Sequence, residues 1–275
     1  MSAVSCSVCP RSCRLEDGKT GWCRARRNVN GKIESINYGL LTALALDPVE
    51  KKPLYRFMPG SKVLSLGSFG CNLDCPFCQN DSISAADDSI AATLVSPQEL
   101  VQKALDLKPR GNIGLAYTYN EPLIGIEYVR DCSRLAHEAQ LKNVIVTNGF
   151  INEAPLKELL PFIDAINIDL KAFNEQFYKN IGGDLNTVKR SIKIACQSCH
   201  VEVTTLIIPN ENDSPAEMRE MSEWLASVNK DIPLHISRFF PRYRYADRNP
   251  TNVDDMRLLA TIARGSLNHV YLGNC

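Results

Sequence analysis

The feature that most constrains this chain is an alternation. From Lys62 onward, short apolar runs rich in β-branched residues are separated by segments with helical grammar. The runs are VLSLG (63–67), IGLAYT (113–118), NVIVT (143–147), AINIDL (165–170), VEVTTLII (201–208) and LHISRF (234–239). Such runs suit strands buried on both faces. The helical segment SPQELVQKALDL opens with Ser96 as cap, Pro97 at the first helical position and Glu99 closing a capping box. SPAEMREMSEWLASV repeats this with Ser214, Pro215 and Glu217. PLIGIEYVRDCSRLAHEAQ, EAPLKELLPF, NTVKRSIKIACQS and VDDMRLLATIARG supply the other helices. Strand–helix units repeated six times predict an α/β fold with a parallel sheet and right-handed crossovers. Six units are fewer than the eight of a closed barrel, so the sheet is open or a partial barrel.

Residues 1–60 form a separate cysteine-rich module and connecting hairpin, ahead of a core at 61–275. The first thirty or so residues have little apolar periodicity and need a staple to fold. KIESINYG and LLTALALD predict two short strands around Tyr38-Gly39, and EKKPLYRFMPGS a proline-punctuated connection. A net charge of zero argues for neither nucleic acid nor membrane surface. No apolar run approaches the ~20 residues of a membrane span. MSAVSCSVCPRSC lacks the apolar core of a secretion signal, so a cytoplasmic location is expected.

The chain has 11 cysteines, an odd number, in a compartment expected to keep thiols reduced. Seven fall in two tight groups, Cys6/Cys9/Cys13/Cys23 and Cys71/Cys75/Cys78, which reads as metal binding; Cys132, Cys196, Cys199 and Cys275 are scattered. In the second group, GCNLDCPFCQN directly follows the first strand, where α/β folds place their chemistry. Its glycine, asparagine and proline neighbours mark a turn. Three thiolates on a cubane leave one iron position open, as reactive metal sites require. Cys6, Cys9, Cys13 and Cys23 instead make a four-ligand, closed site for zinc or a second [4Fe–4S] cluster.

The C-x3-C-x2-C loop, with Phe77 before its last cysteine, resembles the motif of radical S-adenosylmethionine (SAM) enzymes. That resemblance implies a partial (β/α)6 barrel and a [4Fe–4S] cluster held by Cys71, Cys75 and Cys78. It also implies SAM on the fourth iron, and a 5′-deoxyadenosyl radical that removes a hydrogen atom from substrate. Phe77 and Gln79 fall in the implied cofactor site. Tyr119-Asn120-Glu121-Pro122 stands where the superfamily carries its GGEP segment, so Asn120 and Glu121 are expected to hold the SAM amino group. VTNGF and INIDLKAF are similar to the pyruvate formate-lyase activating enzyme branch, which places Asp169 and Lys171 along SAM. That branch's basic residue before TTLIIPN is replaced here by Thr204 and Thr205, and His235 is a further candidate for the site.

The ordered motifs CSVCPRSCRL, DPVEKKPLYRFMPGS, GCNLDCPFCQN, VTNGF, NIDLK, VEVTTLIIPNEND, HISRFFPRYRY and YLGNC resemble the AmmeMemoRadiSam group. Members commonly continue past YLGN, so that extension is expected to be missing here. The resemblance implies an oxidoreductase with a flavodoxin- or ferredoxin-type electron donor and a protein substrate, with a glycyl-radical activating role as one version. Radical modification of another peptide or small molecule is the alternative. A non-catalytic zinc-binding interaction protein is the rival of a different class. SRFFPRYRYADR, with Arg238, Arg242, Arg244 and Arg248 among aromatics, reads as a substrate- or partner-facing loop at the barrel rim rather than a nucleic-acid site.

Overall fold

The computed structural model describes residues 3–275. Two short antiparallel pairs start the chain: β1 (Val4–Ser5) with β2 (Arg14–Leu15), and β3 (Arg26–Val29) with β4 (Lys32–Ser35). β5 (Leu40–Leu41) pairs with β8 (Thr93–Leu94). The remaining strands form one eight-stranded sheet: β6 (Ala43–Pro48), β7 (Lys62–Gly67), β9 (Asn112–Tyr117), β10 (Lys142–Thr147), β11 (Ala165–Asp169), β12 (His200–Ile207), β13 (Leu234–Arg238) and β14 (Val270–Gly273). Its order is β14-β13-β12-β11-β10-β9-β7-β6, and every pair from β7 to β14 is parallel.

All six expected strands are present. YLGNC contributes most of a further parallel strand, β14, that its short apolar run did not announce. The expected hairpin around Tyr38-Gly39 does not form. β4 turns back on β3, and the ALALDP run joins the main sheet as β6, antiparallel to β7 from Ala43↔Gly67 to Pro48↔Lys62. An isolated two-stranded hairpin is marginal, whereas the edge of a large sheet offers a full ladder and a core.

Helices α1 (Asp81–Ser84), α2 (Pro97–Asp106), α3 (Ile126–Glu138), α4 (Glu153–Leu159), α5 (Glu175–Asn180), α6 (Leu185–Ala195), α7 (Pro215–Asn229) and α8 (Val253–Arg264) lie along the crossovers. The box on α2 forms, with Ser96 and Glu99 bonding reciprocally. The box expected on α7 does not: Ser214 makes no side-chain cap, and Glu217 instead accepts the Phe173 N–H at 2.7 Å. That bond ties α7 to the segment after β11, satisfying a loop amide.

Alternate strand residues face two cores. One face packs on the helices through residues such as Leu66, Leu115, Ile145, Ile168, Val203 and Ile236. The other encloses a smaller cluster, Val63, Ala116, Val144 and Ala165, which Val49 and Leu54 from the β6–β7 connection cover. By the same alternation Ser65, Asn167 and Asp169 lie further up this inner face. The interior thus combines a small apolar cluster with buried polar side chains.

Candidate active site

The loop after β7 carries Cys71, Cys75 and Cys78, all partly exposed. Gly70 precedes it with φ +86, and a Cβ there would collide with the Cys23 carbonyl, so only glycine fits. Cys71 Sγ receives the Leu73 N–H at 3.4 Å and the Asn148 side-chain amide at 3.7 Å. Cys78 Sγ lies 3.2 Å from Ser84 Oγ on α1. Burial pushes the Cys75 thiol up to about 12, with Lys171 acting in the opposite direction. Burial also raises Cys71, and Glu121, Cys75 and Cys78 add to the shift, so these groups share one neighbourhood. This is a fit for an anionic iron–sulfur cluster: three thiols on one loop, N–H donors aimed at sulfur, and an ammonium close by.

The turn after β9 is held rigidly. Asn120 Oδ1 accepts the Ser68 N–H at 2.9 Å, while its amide donates to the carbonyls of Phe69 and Gly70 at 3.1 Å each. Asn120 therefore splints the lead-in to Cys71. Glu121, 3% exposed, accepts from the Leu123 N–H (2.9 Å), Thr147 Oγ1 (2.8 Å) and the Asn148 N–H (2.8 Å). Burial raises its carboxyl to about 7 against those hydrogen bonds. Its first task is joining the ends of β9 and β10. Tyr119 enters this turn with φ +72, and its carbonyl accepts the Asn80 amide at 2.7 Å.

Asp169, at the end of β11, is 3.0 Å from Lys171 Nζ. Burial works against the Lys171 charge, but Asp169 and Cys75 outweigh it and hold the amine above its ordinary value. Asp169 and Lys171 are thus brought together with the cysteine loop. Phe77 is buried, 6.0 Å from Phe177 and 6.1 Å from Tyr245 between ring centres, and Gln79 is exposed. Thr204 donates to Asn167 Oδ1 at 2.9 Å.

His235 does not join this constellation. It sits near the amino end of β13, where its Nε2 is 2.6 Å from Glu202 Oε2. Glu202 also meets His200 Nε2 at 2.9 Å and the Tyr55 and Arg56 amides at 3.1 and 2.8 Å. An alternating strand places residues on a face but does not fix their partners, and the His235 imidazole is taken up by Glu202 rather than by the cysteine loop. Two residues that the sequence did not single out do reach the loop. Asn148 touches Cys71 and donates to Asn72 Oδ1 at 2.9 Å. Arg11 Nε donates to the Asn72 carbonyl at 2.6 Å. Only the motif VTNGF and the arginine among the first cysteines hinted at them.

The four N-terminal cysteines line one pocket. Among the described residues, no group of three or more His, Cys, Asp or Glu side chains is drawn together as around a single metal ion.

The family model described as the radical SAM superfamily matches residues 66–224, more than half of the chain. The chain belongs to the radical SAM superfamily. An uncharacterized protein of Methanocaldococcus jannaschii is 39% identical over 98% of this radical SAM chain and 81% of its own length. Pyruvate formate-lyase 1-activating enzyme of Escherichia coli strain K12 is 24% identical over 60% of the chain and 71% of that enzyme. Among solved structures, Streptococcus suis SuiB bound to S-adenosylmethionine shares the fold at a TM-score of 0.60 and 14% identity. That match covers 78% of this chain and 52% of SuiB, so the chain spans about half of SuiB's length. Membership implies a [4Fe–4S] cluster and SAM, and the residues around Cys71, Cys75 and Cys78 fit the cluster. Among the described residues, no helix is long and apolar enough to cross a membrane.

Proposed function

We propose that this chain is an oxidoreductase that cleaves SAM reductively at a cluster held by Cys71, Cys75 and Cys78. When bound, the cluster and SAM supply a 5′-deoxyadenosyl radical that takes a hydrogen atom from substrate. The chain's own residues bind and orient. Leu73 N–H and Asn148 donate toward Cys71 sulfur. Lys171 offsets negative charge beside Cys75 and is itself fixed by Asp169. Asn120 and Glu121 hold the turn at the end of β9, and Glu121 keeps one lone-pair direction beyond its three donors for an incoming ammonium. Phe77 fills the wall below the loop, and Gln79 borders it from the solvent side.

The observation that carries this reading is the meeting of the three-cysteine loop with Glu121, Asp169 and Lys171 at the carboxyl ends of β7, β9 and β11. The similarity to pyruvate formate-lyase activating enzymes supports a protein substrate whose backbone loses hydrogen. A flavodoxin or ferredoxin supplies the electron, and the enzyme works in the cytoplasm. The motif order supports placement in the AmmeMemoRadiSam group.

The test is anaerobic reconstitution with iron and sulfide, then SAM and a strong reductant. Brown protein holding at least about four irons per chain and releasing 5′-deoxyadenosine is expected. Cys75→Ala should release none. Colourless protein binding only zinc, or a Cys75→Ala variant that still cleaves SAM, ends the proposal.

A further inference from the structure

Outside the catalytic loop, one cluster of nucleophilic side chains is left unexplained. Cys6, Cys9, Cys13 and Cys23 line a single pocket whose other walls include Leu15 and Arg26. Local structure brings them there. The β1–β2 ladder and the Cys6 N–H bond to the Cys13 carbonyl (2.9 Å) fold the first three together. A tight turn, with the Gly21 N–H on the Arg26 carbonyl at 2.7 Å, returns Cys23. All four are free thiols. A segment this short, built on two-residue strands, has too little apolar area to hold such a turn alone.

A second observation points into the same pocket. Arg26 is 5% exposed. Its terminal nitrogens are taken by Glu127 (2.7 and 2.8 Å) and the Ile124 carbonyl (3.0 Å). Its Nε is buried with no hydrogen-bond partner. A buried, unsatisfied N–H of a cation is costly, by about 1–3 kcal/mol or more. An anion rich in sulfur would accept it. Four thiolates around zinc or around an oxidised cubane each give a net charge of about −2, and N–H groups donating to the ligating sulfurs are what such centres carry.

The pocket is also coupled to the catalytic loop. Both chain neighbours of Cys71 touch this module. Gly70 packs directly on the Cys23 carbonyl. The Asn72 carbonyl accepts Arg11 Nε at 2.6 Å, and the Asn72 side chain neighbours the Cys9 thiol. Arg11 also reaches the Gly182 carbonyl at 2.7 Å and stacks over Trp22. Cys71 is therefore gripped on each side by the segments that carry Cys9 and Cys23.

We propose that Cys6, Cys9, Cys13 and Cys23 hold a closed tetrathiolate metal centre, zinc or a second four-iron cluster, whose loading fixes the position of Cys71. The residues around it are positioning residues and touch no reacting atom. As the thiols are not gathered at single-ion spacing, zinc would draw them inward, whereas a cubane spans a wider set. The two arms of the experiment separate these.

The full chain carrying Cys71→Ala, Cys75→Ala and Cys78→Ala is purified anaerobically and divided between zinc and iron plus sulfide. After desalting, elemental analysis should find about one zinc or about four irons per chain in one arm. Adding Cys6→Ala and Cys23→Ala should reduce that to under about a tenth. A triple variant that is folded by circular dichroism yet holds under about a tenth of either metal overturns the centre. So does a disulfide among the four. Should the triple variant not fold, Cys9→Ser in the otherwise native chain gives the same decision: total metal falls by one centre, or the proposal is wrong. Its remaining cluster should show an altered electron paramagnetic resonance signal, and an unchanged signal overturns the coupling to Cys71. These readings do not need SAM cleavage, so their failure is distinct from failure of the proposed activity.

Discussion

The side-chain amide of Asn148 stands 3.7 Å from the sulfur of Cys71 and is steered there by Asn72, whose Oδ1 it meets at 2.9 Å. Donation to a cluster sulfur stabilises the more negative, reduced state and so raises its potential. Asn148→Leu keeps the size and removes the donor. The expected result is a lower reduction potential, by about 20–65 mV, which is a net hydrogen bond of about 0.5–1.5 kcal/mol read through a one-electron couple. A redox titration followed by electron paramagnetic resonance measures it. Iron content should stay near that of the native chain, because no thiol has been removed.

Glu121 gives the fold a pH dependence of unusual sign. Its carboxyl is raised to about 7 by burial, above the ordinary 4.5. The native state therefore holds a proton that the unfolded chain releases. This contribution is full below about pH 4.5 and is lost as pH rises through about 7. Glu121→Gln should flatten the melting temperature between pH 5 and pH 7 in the cluster-free protein. If the native slope over that interval persists in the variant, Glu121 is not its source.

Much of this was open to reading in the residues. The six β-rich runs became strands because each is long and apolar enough to be buried on both faces, and the loop at Cys71 announced itself by composition. β14 was missed because VYLG is too short and too mixed to show a period. The false hairpin at Tyr38-Gly39 and the capping box at Ser214 share one cause: a stronger tertiary partner was available, β7 for the ALALDP run and the Phe173 amide for Glu217. His235 shows the limit for sites. Residue type and strand parity were right for a pocket, but only the hydrogen bond to Glu202 shows that its imidazole is already engaged elsewhere.

That same hydrogen-bonded group makes a prediction. Burial opposes the Glu202 charge, yet His200, His235 and the amides of Arg56 and Tyr55 hold its carboxyl down to about 2. Its stabilising contribution is present above about pH 4.5 and is lost as pH falls toward 2. Glu202→Leu strands buried donors on His235 and the 55–56 backbone, and should destabilise the protein by about 3–5 kcal/mol in urea unfolding at pH 7. The side-chain bonds of Glu202 go to His200, His235, Tyr55 and Arg56 and not to the cysteine loop, so iron binding by folded Glu202→Leu should match the native chain. Loss of iron from a folded variant would place this carboxylate nearer the chemistry than its bonds allow.

The rim loop after β13 offers the last test. Arg244 bonds both the carbonyl and the carboxylate of Asp74, the latter at 2.5 Å, and Asp74 stands between Cys71 and Cys75. Further along, Arg248 and Tyr245 both hold Glu211, with the Arg248 guanidinium 3.3 Å over the Tyr245 ring. The loop is thus pinned to the cluster loop at one point and to the segment after β12 at another. Both Arg244 and Asp74 side chains are about half-exposed, so the pair adds under about 1 kcal/mol to global stability. Arg244→Ala should leave the melting temperature unchanged within about 2 °C. It should nevertheless free the exposed Tyr243, speeding chymotrypsin cleavage after it several-fold, since local opening is governed by local contacts. Arg248→Ala, which leaves the Asp74 tether intact, should accelerate cleavage less. Equal protection in Arg244→Ala and the native chain would mean that the Glu211 anchor alone secures the loop.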